Sequence, residues 1–534
     1  MKRLMKQQMR RYMRNPQSSL PCVKTILQLL LVIVGLTGVT ASAQAQLATL
    51  ADAAEHQDQA LIRQLLDSGS ISADVNANQV DGMTALHWAV YHDDKDLTEK
   101  LLRSGADVNV KNRYGVPPLS LAATNRNGTI VRLLLDAGAK TNEQLAGNES
   151  ILMIAARTGS LDAVQALLDA GADPNLSESR GQTALMWAAA EGHTEVIEAL
   201  INAGADVFAK LNSGFTPLFF SVREGHIDVA LALIKAGADV TGIIEPARDS
   251  GENASNNAST QPITQGLSPL LMAVQNGHFE LAIALVKAGA DPNDRRTGFT
   301  PLATLSWVRK PDSSDRGDPS PVGSGNLSAL DFVQELVALG ADVNLPMEEG
   351  APRQPNSASR LASEGTTAFL LAADRADVPL MRRLLDLGAN PHWPSLNGTN
   401  ALMAAAGLGT TAPEEEAGTE AEAMEATRLM LELGADVNEV NDENDTAMHG
   451  AAYGMFPSIV TLLAQHGADP HIWNRENHRG WTPLFIAEGY RFGLPRPSKE
   501  TIEVITSLMT EASMSTEGPR PEIIDIYEVP PPNQ

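Results

Sequence analysis

Among 534 residues there is one cysteine, Cys22. That scarcity excludes a disulfide framework, a Cys-ligated zinc or iron–sulfur centre and a thiol nucleophile for the rest of the chain. Aromatic residues make up only 4%, so any core must be built from Leu, Ala, Val and Ile, side chains suited to close-packed helices. Positive charge is also short: 40 Lys and Arg face 65 Asp and Glu, a net −25 at pH 7. No window beyond the first two dozen residues is basic enough to neutralise a phosphate backbone, which excludes nucleic-acid binding by that route. The G-x-S-x-G, H-E-x-x-H, Walker, G-x-G-x-x-G and EF-hand patterns are missing too, so no catalytic residue and no cofactor is expected.

What basic charge there is gathers at the start. Lys2, Arg3, Lys6, Arg10, Arg11, Arg14 and Lys24 stand with no acid among them, followed by an apolar stretch centred on residues 26–34 and then Ala41-Ser42-Ala43-Gln44-Ala45. Basic, apolar, then A-x-A predicts a secretory signal cleaved after Ala43 or Ala45. The apolar core is nearer the length of such a signal than the ~20 residues of a membrane-spanning helix. Cleavage leaves 33 basic against 65 acidic residues, a net −32. The expected location is the periplasm or the cell exterior, with no membrane attachment after processing.

Past the leader, a glycine followed by Ala-Asp or a near variant recurs at Gly105, Gly138, Gly171, Gly204 and Gly237, each step being 33 residues. It returns at Gly289, Gly340, Gly388, Gly434 and Gly467 after steps of 52, 51, 48, 46 and 33. A second landmark keeps phase: Thr183-Ala-Leu-Met186, Thr216-Pro-Leu-Phe219, Ser268-Pro-Leu-Leu271, Thr300-Pro-Leu302 and Thr482-Pro-Leu484. A fixed period of this size marks a solenoid. Thr caps a helix start, Pro fits its first turn, Gly192-His193, Gly225-His226 and Gly277-His278 let the chain reverse, and the later glycine ends a second helix. The three histidines are expected to hydrogen-bond neighbouring loops. Each unit is then a helical hairpin whose apolar face is buried only by stacking on its neighbours.

Gly181-Gln-Thr-Ala-Leu-Met-Trp-Ala-Ala-Ala-Glu-Gly-His193, continued by Val196, Leu200 and Gly204-Ala-Asp-Val207, resembles an ankyrin repeat. The resemblance recurs about a dozen times from Leu47 to Ala512. Only His87 and His449 keep the histidine of the family's T-P-L-H; Met186, Phe219, Leu271, Met403 and Phe485 replace it elsewhere. The fold expected is all-α: an ankyrin-repeat solenoid of about 11–12 helix-turn-helix repeats with β-turn fingers and loop insertions in the second half. The expected organisation is a signal at 1–43, an N-terminal capping repeat at 44–80, regular repeats at 81–243 and an insertion at 244–265. Repeats with insertions follow at 266–479, then a C-terminal capping repeat at 480–512 and a Pro-containing tail at 513–534.

Composition places the surface loops at 244–265, 309–326, 345–364 and 408–422, all poor in apolar residues. They read either as binding or gating loops or as neutral decoration. The tail segment 523–529 is expected to lie on the end of the solenoid. Of the possible ligand sets, His466, His471 and His478 beside Asp469 are read first as polar residues around a turn, with a metal site as the lesser alternative. Residues 312–318 resemble a calcium loop only loosely, because the bidentate acid is missing.

The resemblance implies that the turn position after the finger glycine and the end of each first helix line a concave face that binds protein. Carried over by position, the turn set includes Met83, Gln182, Phe215, Leu267, Phe299 and Trp481. The helix-end set includes Tyr91, His92, Glu191, Arg223, Glu224, Gln275, Asn276 and Trp307. The expected contact residues are Phe215, Arg223, Glu224, Leu267, Gln275, Asn276, Phe299, Trp307 and Trp481, apolar anchors rimmed by polar groups. The alternative is that the large ones pack against neighbouring fingers. The function expected is a monomeric, non-catalytic scaffold for a protein partner. A secreted effector, a maturation factor for an exported enzyme and an enzyme with a site built by the insertions stand as alternatives.

Overall fold

A computed structural model of the chain describes residues 49–67, 74–244, 266–312, 320–349, 359–413, 418–491 and 496–520. The expected signal, most of the insertion at 244–265, residues 414–417 of the loop at 408–422 and the tail segment 523–529 lie outside the described residues.

The capping chemistry read from the sequence is what starts the helices. The hydroxyls of Thr183, Ser268, Thr300 and Thr482 accept the backbone N–H three residues on. Pro217, Pro269, Pro301 and Pro483 occupy the first helical turn, where no donor is missed. The first helix of a unit is short, as in Ala184–Glu191, and ends on Gly192 in the left-handed conformation. The second, Thr194–Asn202, runs back and ends just before Gly204, whose φ of +88° no β-carbon residue adopts cheaply. Leu185, Met186, Ala188 and Ala189 of the first helix and Val196, Ile197 and Leu200 of the second are buried.

Twelve such hairpins follow one another, from Leu50–Glu55 with Gln59–Asp67 to Pro483–Ala487 with Lys499–Glu511; one extra short helix, Pro470–Trp473, lies between units. First helices pack on first helices along the whole series, and second helices on second helices from Lys95–Arg103 onward. The described residues contain no strand, only single antiparallel bridges in the fingers, such as Ser177 with Thr183. The expectation of an all-helical solenoid with β-turn fingers is met, at the upper end of its repeat count.

Two polar devices join one unit to the next. In the first, an asparagine after the repeat glycine donates to the next glycine's carbonyl and accepts a backbone N–H two residues further on. Asn109 bonds Gly138 O (3.1 Å) and Lys140 N (2.9 Å), and Asn175 bonds Gly204 O (3.0 Å) and Asp206 N (2.8 Å). Asn76, Asn142, Asn293, Asn344 and Asn438 do the same. The ladder is interrupted where Phe208, Thr241 and His392 replace the asparagine. In the second device, the Gly-His histidines reach back as expected: Nε2 of His193, His226 and His278 donates to the carbonyls of Arg157, Ala190 and Arg223, each at 3.1 Å. The His193 ring lies on Gly159, where a β-carbon would stand about 2.5 Å from it.

The insertions enter at two recurring places. Two leave from finger tips, which stay closed beneath them: Ile244 N bonds Leu267 O (3.0 Å), and Met347 N bonds Thr366 O (2.9 Å). The other two join first helix to second helix. The loop after Pro301–Arg309 folds back so that Ser324 N donates to His278 Nδ1 and its hydroxyl to Gly225 O, both 2.9 Å. Gly323 crosses Gly277 so closely that a β-carbon there would collide with the Gly277 carbonyl. The same loop is locked at its start by ion pairs: Arg309 with Asp377 (2.7 Å), Lys310 with Glu422 (2.6 Å) and Asp312 with Arg375 (2.7 Å). Asp312, first residue of the calcium-like stretch, is thus taken up by an arginine that is 2% exposed. The rest of that stretch, 313–318, lies outside the described residues. No helix among them is long and apolar enough to cross a membrane.

Candidate functional site

The residues expected to meet a partner fall into two groups. Arg223 and Glu224 are exposed, and Phe215, Gln275, Asn276, Trp307 and Trp481 are partly buried at the turns and first-helix ends. Leu267 and Phe299 do not. Leu267 is 4% exposed and closes the finger bridge to Ile244, while Phe299 is 1% exposed and stacks edge-on to Trp307 with ring centroids 4.8 Å apart. Both belong to the core, which corrects their expected role and matches the packing alternative: a side chain this buried has no free surface to offer a partner. Gln275 and Asn276 abut the insertion at Gly277, so this chain's own loop occupies part of the face there.

Phe215 and Arg223 form the best-developed cluster. The guanidinium of Arg223 lies 5.8 Å from the Phe215 ring centroid and 5.3 Å from that of Phe220, and its Nε pairs with Glu224 at 2.8 Å. A cation over partly desolvated rings is held electrostatically while its polar edge stays available. The pattern extends toward the N-terminus through Trp88, Arg157 and Trp187, which were not singled out from the sequence, and through Tyr91 and His92, which were. Trp187 lies beneath Arg157 at 5.0 Å, and Trp88 packs with Tyr91 and His92 at 5.5 and 5.8 Å. Trp88, Trp187 and Phe220 each follow the capping Thr by four positions. That shared register was the available signal.

A second, polar site lies further along. Insertion residues Arg360 and Leu361 cross the loop at Gly409, with Arg360 N bonding Gly409 O at 2.8 Å. Together with the fingers of the following units they enclose a cavity of about 190 Å³. Its floor is set by two asparagines. Asn441 accepts the backbone N–H groups of Glu443 (2.9 Å) and Asp445 (2.8 Å); Asn477 accepts those of Arg479 (3.0 Å) and Trp481 (3.1 Å). Asn477 Nδ2 also donates to Asp445 Oδ1 at 2.9 Å and to the Tyr453 hydroxyl at 3.3 Å.

Burial pushes the Asp445 carboxyl up to about 6, against the Asn477 hydrogen bond that favours its ionised form; the neighbouring Glu443 charge raises it further. Burial also holds the Tyr453 phenol well above its usual value. His478 stands 3.2 Å from Glu443, and donor atoms of Glu443, Asp445 and His478 all lie within 4.8 Å of one another. His478 is therefore grouped with these acids and not with His466, His471 and Asp469: His466 bonds Leu462 O of its own helix, and Asp469 caps Pro470–Trp473. Asp445 and Tyr453 occupy the turn and helix-end registers of Phe215 and Arg223, but neither was named from the sequence.

Residues 50–145 and 152–243 match the family described as ankyrin repeats (3 copies), and residues 265–297 match a single ankyrin repeat. Among curated proteins, the chain is 35% identical over 245 residues to ankyrin repeat and SOCS box protein 16 of Mus musculus, covering 42% of this chain and 48% of that protein. The Homo sapiens counterpart is 35% identical over 244 residues with the same coverage. NF-kappa-B inhibitor zeta of Bos taurus is 25% identical over 202 residues, 34% of this chain and 25% of that protein. The chain spans about half the length, or less, of the curated relatives it matches.

Proposed function

We propose that this helical solenoid, whose residues 50–145, 152–243 and 265–297 match ankyrin repeats, is an exported, non-catalytic scaffold that holds a protein partner against the turn-and-helix-end face of its units. The observation that carries this reading is the row of half-buried rings on that face, Trp88, Trp187 and Phe215, with Arg157 over the second and Arg223 over the third. Trp and Arg anchors that lose their remaining water on contact supply most of the energy of a protein interface. Arg223 and Glu224 give such a cluster a polar rim. Export rests on the basic, apolar and A-x-A succession of the leader, and the processed chain's net −32 favours a partner with a basic surface.

The test uses the chain from Ala45 onward as bait on an envelope fraction, against a Phe215→Ala/Arg223→Ala variant. Neither residue is fully buried, so the melting temperature should stay within a few degrees. Recovery of the partner should fall by about tenfold or more, the loss of one modest hot spot. Equal recovery by both baits overturns the assignment of the face. Recovery of full-length chain with an intact N-terminus from the cytoplasm overturns export.

A further inference from the structure

We propose that Glu443, Asp445 and His478 bind one divalent transition-metal ion at the floor of the cavity roofed by Arg360 and Leu361. The argument starts from Asp445. Among the sister units its register, one residue before the capping Thr or Ser, holds Met83, Gln182, Phe215, Leu267, Phe299 and Trp481. The other acid in this register, Glu149, is half-exposed and lies on Arg157 at 2.9 Å. Asp445 is 5% exposed, its side-chain hydrogen bond comes from the neutral amide of Asn477, and the charges that face it are those of Glu443, His478 and Arg479. A carboxyl buried in this way either keeps its proton or ionises against a cation, and a metal ion is such a cation.

The neighbours suit a metal. Two carboxylates and an imidazole present donors within 4.8 Å of one another from two adjacent fingers. Both fingers are held beforehand, Glu443 and Asp445 by Asn441 and the His478 finger by Asn477, while His478 N bonds Glu443 O at 2.9 Å. Donors about 2.1 Å from a common ion lie roughly 3–3.5 Å apart, so the half-exposed tips of Glu443 and His478 need only a small closure toward Asp445. An imidazole nitrogen beside carboxylates suits Zn²⁺ or Mn²⁺ better than Ca²⁺ or Mg²⁺, which take oxygen donors. The Asn477 bond to Asp445 is the outer support that ligating carboxylates carry.

The experiment is calorimetric titration of the chelator-stripped full chain with ZnCl₂ and with MnCl₂, repeated on Asp445→Asn, His478→Ala and Glu443→Gln. One saturable equivalent of at least one metal is expected, weakened tenfold or more in each variant. Melting curves in chelator check folding; Glu443 and His478 are half-exposed, so those two variants remain informative even if Asp445→Asn unfolds locally. Failure of both metals to bind saturably, or binding unchanged in Glu443→Gln and His478→Ala, overturns the proposal.

Discussion

His449 is a proton trap that should make the C-terminal units sensitive to mild acid. Its Nδ1 accepts the Thr446 backbone N–H at 3.2 Å, and its Nε2 donates to the Arg475 carbonyl at 3.2 Å, so the neutral ring is satisfied at both ends. Burial pulls its pKa from the ordinary 6.5 down to about 4, against the opposing pull of the Arg475 and Trp481 hydrogen bonds. Between those values the unfolded chain binds a proton that the folded chain refuses, so stability is complete above pH 6.5 and declines as pH falls toward 4. At about 1.4 kcal/mol per tenfold change in proton affinity, the loss reaches about 2.5 kcal/mol by pH 4.5. The control is His449→Met, since Met153, Met186 and Met403 occupy the same register in sister units. Urea unfolding of both chains at pH 7.5 and 4.5 isolates the effect, because the burial-lowered His87 and every carboxylate are common to both. If the native chain and the variant lose the same stability over that interval, His449 is not held neutral and the reasoning fails.

Two further outcomes follow from the packing. Asp312→Ala leaves Arg375, only 2% exposed, without its carboxylate at 2.7 Å, and should cost about 3 kcal/mol. Adding Arg375→Met should recover a large part of that loss in the urea midpoint, and no recovery would show that the pair's charge is not what matters. Gly159→Ala sets a methyl against the His193 ring at a φ of +72°, so about 2 kcal/mol or more should be lost. Most of the steric part should vanish when His193→Ala is combined with it, as read by a double-mutant cycle.

The regular part of the architecture was legible because its causes are local. Capping Thr, first-turn Pro and terminal Gly act within a few residues, and repetition every 33 residues multiplied a weak signal. The Gly-His contacts were legible for the same reason. Burial at the turn register was not: Phe215 and Phe299 are the same residue type at the same register, yet the first stays partly exposed under Arg223 and the second is buried against Trp307. The Asp312–Arg375 pair joins residues 63 positions apart across an insertion, and the cavity at Asp445 is assembled by Arg360, Gly409 and His478 from three separated segments. No periodicity encodes such meetings. A local sign was Asn444 in place of the finger glycine, a replacement shared with Asn148 and visible only by aligning the units with one another.

The missing asparagine rungs have a mechanical meaning. Each intact rung contributes two hydrogen bonds, together about 2 kcal/mol of adhesion between consecutive units. With Phe208 and Thr241 in place of asparagine, the unit ending at Gly237 lacks a rung on both sides. In a one-dimensional array, whose cohesion is a sum over nearest neighbours, those two seams rest on apolar packing and on the histidine contacts of His226 and His278 instead. The unit that carries Phe215 and Arg223 is therefore the one held to both neighbours without an asparagine rung.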